Sequence, residues 1–363
     1  MKLLRTYVLK EHLGPFLVTL SGLTAALLVG NIIKFAELVI AKGVSLVDVL
    51  RLLIYLLPSL TSFTIPMACL VSMVLAFGRL SSDYELIAMR ASGVAPIRLV
   101  TPMLMVALLL SSGVLVLNDR IIPAAHLAFR KQLKTIGVKR PAAYLEAGRF
   151  IKEFVPYIIF VYQVEDRMLS DVRIYEPKTQ GPMRTIIASR GEFEPTTDGR
   201  SVRLKLSEGS IDEWDPQRPG SLYKVSFGTY TMSLSADADA RRRLGKKLKE
   251  MTFRELGAER GAMAAQGVDP LPIDLEIHRK IASSFATVVF VLVGLALGLG
   301  SHHHERLVIF VWVLGLFIAY YLLTVGMNAI AIKRWLPPGL AMWVPNLIGL
   351  GAGGMSVWRV TRR

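Results

Sequence analysis

Cysteine is nearly missing: Cys69 stands alone in 363 residues, which excludes a disulfide framework and a cysteine-built metal cage. No GxxxxGK[ST] phosphate loop, GxSxG elbow or other nucleophile motif occurs, so the chain carries no apparatus for nucleotide hydrolysis or covalent catalysis. His302, His303 and His304 form the one histidine cluster. Three consecutive residues cannot all face one ion from regular structure, and no HxxE spacing accompanies them, so a tight cytoplasmic loop is expected there and no metal. Acidic residues are few beside basic ones, 28 against 43. The basic excess does not indicate nucleic acid here; an acidic or phosphorylated lipid, or an acidic partner domain, is the more economical counterpart.

What the chain has is long apolar runs. A helix needs about 20 residues to cross the hydrocarbon core. Six runs qualify: Leu13 to Ile33, Val49 to Phe77, Leu99 to Leu117, Ile281 to Gly300, Leu307 to Ile330 and Leu340 to Trp358. The first follows Lys2, Arg5 and Lys10, yet it is long and no small-residue cleavage site follows, so it is expected to anchor rather than to be removed. Three spans, a polar insert and three more spans divide the chain at 1–121, 122–274 and 275–363. Lys and Arg in the short connections set orientation. Arg79, Arg90, Arg98, Arg306 and the cations of both termini fall on one side, which is expected to be cytoplasmic. The insert is then exported.

Within the insert the period changes from helical to alternating. Val202-Arg203-Leu204-Lys205-Leu206 swaps faces at every step, as a strand with one buried face does. Tyr157 to Val164, Asp171 to Tyr175, Arg184 to Phe193 and Leu222 to Leu234 read the same way, separated by turn-rich stretches. The expected fold is membrane α+β, six transmembrane helices with a β-sandwich or jelly-roll-like domain between the third and fourth. Arg241 to Ala265 reads as a helical connector back to the membrane.

Four features inside this frame bear on function. Between Arg79 and Arg98, Ser82 and Glu85 stand in capping-box spacing, Asp83 suits a helix start, Arg90 suits the last turn and Gly93 suits a left-handed stop before Pro96. Such a short helix must dock its apolar Leu86, Ile87 and Met89 onto something; it is either a solvated reversal or a handle for a soluble partner. In the second span Pro58 and Pro66 each remove a donor, and Ser59, Thr61, Ser62 and Thr64 can satisfy the freed carbonyls, so a bend or break is expected. Gly294 and Gly298 form a GxxxG pair for close helix approach, and glycines crowd the sixth span. Lys34 lies where the first span leaves the outer leaflet, with Lys42, Arg51, Arg120, Arg279, Lys280, Lys333 and Arg334 expected near the same rim; it either snorkels beside Glu37 or joins a set that holds lipid phosphates.

The residues Leu57-Pro58, Thr64-Ile65-Pro66-Met67-Ala68, Phe77-Gly78-Arg79-Leu80-Ser81-Ser82-Asp83-Tyr84-Glu85-Leu86, Arg90-Ala91-Ser92-Gly93, Leu275-Glu276-Ile277-His278-Arg279-Lys280 and Trp343-Val344-Pro345-Asn346 resemble the LptF/LptG family of lipopolysaccharide-export permeases. The likeness runs over essentially the whole chain; the segment around His278 is closer to LptF, and Asn31 to Phe35 is similar to LptG. The resemblance implies a non-catalytic ABC-transporter permease of the bacterial inner membrane, both termini cytoplasmic and the β-domain periplasmic. It implies a heterodimer with the paralogous permease and an LptB-type ATPase dimer that binds ATP and magnesium. Lipopolysaccharide would leave the outer leaflet for LptC and an LptA-type bridge. Glu85 matches the family's acidic coupling-helix residue, with Asp83, Tyr84, Leu86, Met89 and Arg90 around it; Tyr84 departs from the small polar residue that many relatives have. Lys34, Lys42 and Arg51 would serve the lipid head group. The competing reading is a membrane-anchored scaffold or assembly factor whose β-domain binds an exported partner.

Overall fold

The structure, a computed structural model, describes residues 2–40, 43–94, 97–139, 148, 150–151, 157–165, 168–176, 183–195, 201–214, 222–235, 246–300 and 306–362. His302 to His304, Lys42 and Pro96 lie outside them. The helices are α1 (Lys2–Ile40), α2 (Leu46–Ser82), α3 (Glu85–Ala91), α4 (Ile97–Val116), α5 (Ile122–Lys139), α6 (Phe253–Ala265), α7 (Leu271–Gly300), α8 (Arg306–Ile332) and α9 (Pro338–Arg362), with a π turn at Leu117–Ile121. Six helical stretches are long and apolar enough to span a membrane, Leu3–Ile40, Leu46–Ser82, Arg98–Leu133, Leu271–Leu299, Val311–Ile332 and Pro338–Arg359. Each expected span is there. Each rod runs past its apolar run, because helix formers continue into the polar flank. The clearest case is Ile122–Lys139, which opens the expected β-insert and is helical.

The chain divides into two compact units, residues 1–31, 54–127 and 247–363 in one and residues 32–53 and 128–246 in the other. In the first, α7 is the central post, and its glycines explain why. A Cβ on Gly294 would stand 2.8 Å from Met73 Cβ, and one on Gly298 would stand 2.7 Å from Phe77 Cβ, so α7 meets α2 closer than any larger residue permits. On its other side Gly349 and Gly353 of α9 sit against Val289 and Leu292. Their shared core joins Met73, Phe77 and Leu80 of α2 to Val100 and Met103 of α4 and to Val291 and Leu295 of α7. By contrast α1 and α8 leave most of their apolar surface uncovered, Leu17, Ile33, Trp312 and Leu322 among it.

Despite Pro58 and Pro66, α2 is unbroken from Leu46 to Ser82. The expected break is absent, and the hydroxyls divide their work. Thr61 Oγ1 donates to Leu57 O at 2.9 Å and Thr64 to Thr61 O at 3.4 Å, while Ser59 pairs with His126 at 3.2 Å and Ser62 donates to Asn118 Oδ1 at 3.1 Å. Two of the four thus tie α2 to the third span, and the other two bond Leu57 O and Thr61 O rather than Ile54 O and Ser62 O, the carbonyls four residues before the prolines.

The second unit holds the sheet. Strands β1 (Phe150–Ile151), β2 (Ile158–Glu165), β3 (Met168–Glu176), β4 (Met183–Pro195), β5 (Ser201–Trp214) and β6 (Leu222–Ser235) pair antiparallel in chain order. The antiparallel β-domain expected between the third and fourth spans is present. The described strands form one meander, without the Greek-key crossover of a closed jelly roll, because each turn returns the chain beside its predecessor. Ile159, Val172, Ile174, Leu204 and Leu206 line its buried face. A crease crosses five strands: Tyr162, Asp171, Ser189, Glu208 and Gly228 lie on one line that the ladder registers skip. Asp171 and Glu208 adopt left-handed φ values of 52° and 55° there. Beyond the line the alternation restarts, so Leu169 and Val172, three residues apart, share the apolar face. Gly209 is required beside it, since a Cβ would stand 2.2 Å from Ile187 O. Elsewhere in this unit Phe129, Leu133 and Ile136 of α5 pack on Phe35, Val49 and Leu52.

Candidate functional site

The handle between the second and third spans is α3, seven residues long. Its stop is as expected. Gly93 takes φ 79°, its N–H bonds Arg90 O at 2.9 Å and the Val94 N–H bonds Met89 O at 3.0 Å, a paired closure that satisfies two last-turn carbonyls. Its start differs. Ser82 belongs to α2 and donates its hydroxyl to Gly78 O at 3.0 Å, so the Ser82–Glu85 capping box does not form. The helical bonds of α2 persist through the Asp83 N–H to Arg79 O at 2.9 Å, and the reversal is made at Tyr84 in left-handed geometry, φ 56°. A non-glycine side chain there costs on the order of 1 kcal/mol.

Freed from capping, Glu85 is held from another direction. The Tyr7 hydroxyl lies 3.1 and 3.0 Å from its two carboxylate oxygens. One turn along α1, Glu11 pairs with Arg79, whose Nε also reaches Asp83 at 3.4 Å. Tyr7 and Glu11 share a face of α1 by their i, i+4 spacing, and between them Val8 is buried in the same core as Leu86. These exposed polar contacts fix geometry more than stability. Tyr7, Glu11 and Arg79 were not among the expected site residues. Their spacing was visible in the sequence, but the pairing of residues 78 apart was not.

The handle has two faces. Leu86 is buried and the half-buried Met89 packs against the same core, so both seat the helix. The outward face carries Tyr84 at 65% and Ile87 at 50% exposure, with Asp83 and Arg90 at its margins. Ile87 joins the site from this placement; nothing in its spacing set it apart from Leu86 and Met89.

The basic residues meet varied fates. Lys34 is exposed and makes no ion pair among the described residues; Arg51 is exposed and stands 3.6 Å from Asp48. Asp48 also accepts from Gln132 at 2.8 Å. Arg279 forms a two-oxygen pair with Glu276 at 2.6 to 3.1 Å, Lys333 stacks on Trp335 and Arg334 pairs with Asp269. Lys280 is buried and donates to Met251 O at 2.5 Å, which removes it from any lipid-facing rim. A cavity of 360 Å³ lies among α7, α8 and α9, lined by apolar groups including Phe290, Val293, Trp312 and Leu323. No cluster of metal-ligating side chains occurs among the described residues.

The family described as lipopolysaccharide export system permease LptF/LptG matches residues 6–360. This chain belongs to that family. A curated relative, the uncharacterized protein RP871 of Rickettsia prowazekii (strain Madrid E), is 22% identical over 260 residues, covering 70% of this chain and 71% of its own. For an LptF/LptG permease the division of α3 into a seated and a free face has a direct consequence for stability. Leu86→Ala is expected to lower the unfolding free energy by about 2 to 3 kcal/mol, and Ile87→Ala by less than about 0.5 kcal/mol, in chemical denaturation of the detergent-solubilised protein; equal losses would place Ile87 in the core.

Proposed function

We propose that this chain is the permease half of an ATP-driven lipid exporter, with α3 as the element that receives force. The observation that carries the reading is the free face of α3, where Tyr84 and Ile87 are exposed beside Glu85 on a helix seated from behind by Leu86 and Met89. Exposed aromatic and aliphatic side chains flanked by charge are what a soluble partner buries in a groove. The partner is an LptB-type ATPase dimer, which binds the ATP and magnesium. The other transmembrane half is the paralogous LptF or LptG permease, and the uncovered faces of α1 and α8 suit that partner and the surrounding lipid.

The cargo in this reading is lipopolysaccharide, taken from the outer leaflet of the bacterial inner membrane. Closure of the ATPase pair moves α3, α2 and α4 follow because they flank it, and the membrane cavity narrows around the acyl chains. Lys34 and Arg51, with Lys42, hold head-group phosphates at the outer rim. The β-domain passes the chains onward to LptC and an LptA-type bridge. Among the described residues β6 has a strand on one side only, and 14 residues of free edge suit docking with a following β-domain. Both termini lie in the cytoplasm and the sheet in the periplasm.

In the purified complex, Glu85→Lys is expected to reduce ATPase association about tenfold or more and to abolish ATP-dependent release of lipopolysaccharide. Unchanged association and release would favour a scaffold. Neutralising Lys34 and Arg51 together to Gln is expected to lower lipid loading while assembly stays intact, read by co-purifying lipopolysaccharide; full loading would leave both residues as interfacial anchors.

A further inference from the structure

One turn of the third span is wound differently from the rest. Leu117–Ile121 is a π turn between α4 and α5, and such turns inside α-helices collect at functional sites. Its local cause is Pro123, which has no N–H for the carbonyl four residues back, at Asp119, and whose ring crowds that carbonyl. The side chains of the turn bond to neighbouring elements. Asn118 accepts from Ser62 Oγ of α2 at 3.1 Å and donates to Ser284 Oγ of α7 at 2.9 Å. Ser284 is buried, passes its own hydroxyl to Lys280 O at 2.8 Å, and offers its carbonyl to Ser111 Oγ of α4 at 3.0 Å. Asp119 Oδ1 accepts the Phe253 N–H at 2.7 Å, at the start of α6, beside Met251, whose carbonyl Lys280 binds.

This turn therefore touches α2, α4 and α7, and it also meets both legs of the inserted sheet. The outgoing leg, α5, begins where the turn ends; the returning leg, at Met251 to Phe253, is bonded to Asp119. We propose that the π turn is the pivot that passes movement of α2 and α4 to the β-domain, with Asn118 as the positioning residue that keeps the membrane helices and the two legs in step. The proposal rests on the transport reading above. A π turn has a residue to spare, so it can exchange with α geometry while its side-chain bonds keep contact, and single hydrogen bonds between membrane helices are weak enough to re-form in each cycle.

The test uses the full complex in lipid vesicles loaded with lipopolysaccharide, with ATP hydrolysis and lipid release measured separately. Asn118→Leu and Asp119→Ala are expected to keep hydrolysis within about twofold while release per ATP falls about fivefold or more, the low end of a coupling between sites. Asp119→Asn, which keeps the acceptor for Phe253, should retain at least about half the wild-type ratio. Wild-type release per ATP in Asn118→Leu and Asp119→Ala would overturn the pivot. If those variants fail to assemble, spin labels at Leu109 and Lys131 of the otherwise unsubstituted chain, in a Cys69→Ala background, decide: a distance change of about 3 Å or more with ATP is expected, and an unchanged distance overturns the proposal. Should the wild-type complex release no lipopolysaccharide with ATP, the transport reading fails and the pivot with it, an outcome distinct from release without coupling.

Discussion

Hydrocarbon solvates neither a stray carbonyl nor a stray amide, and that constraint decides where this chain leaves the plain α-helix and where it does not. Pro58 and Pro66 stand inside α2, yet the helix runs unbroken, and the hydroxyls of Thr61 and Thr64 bond its own carbonyls at Leu57 and Thr61. Pro123 stands just after the π turn, and there the Asn118 side chain bonds Ser62 of α2 and Ser284 of α7. The first segment stays an unbroken rod, and the second is the proposed pivot. That rod is packed along one side against the backbone approach of Gly294 and Gly298 of α7. At the cytoplasmic end proposed for that rod sits α3.

Much of the architecture could be read from period and punctuation. Apolar runs long enough to span, and alternation such as Val202 to Leu206, are local signals that survive folding because each states how its own segment must be solvated. Gly93 was legible for the same reason: a left-handed stop is a property of one residue. The Ser82–Glu85 box was not, because it competed with continuation of α2. A serine hydroxyl bonded four residues back to Gly78, together with a left-handed Tyr84, met the same backbone demand. Helix propensity likewise carried the third span through Lys139, beyond the point where hydropathy changed.

Pairings distant in sequence stayed hidden. Tyr7 with Glu85, Asn118 with Ser284, and Asp119 with the Phe253 amide are chemically ordinary, and only the fold makes them neighbours. The crease of the sheet is similar. Asp171 and Glu208 look like exposed acids on alternating strands, and their left-handed backbone emerges only when five strands line up. The basic rim shows the reverse. It was legible as a set of cations, but packing assigned its members separately, Lys280 to a buried carbonyl and Arg279 to Glu276, while Lys34 stayed exposed.

In the proposed mechanism force enters at a small free surface on α3 and leaves at the sheet, carried by the helices between them. Site-specific crosslinking in native membranes tests the entry point most directly. In a Cys69→Ala background, single cysteines at Tyr84, Leu86 and Ile87 are exposed to a short bifunctional reagent in the presence of the ATPase. With α3 as the cytoplasmic force-receiving element, ATPase adducts are expected at 84 and 87 and none at 86, with no labelling of any of the three by a membrane-impermeant thiol reagent added outside intact spheroplasts. Labelling of position 87 from outside, or adducts at 86 but not 87, would contradict it.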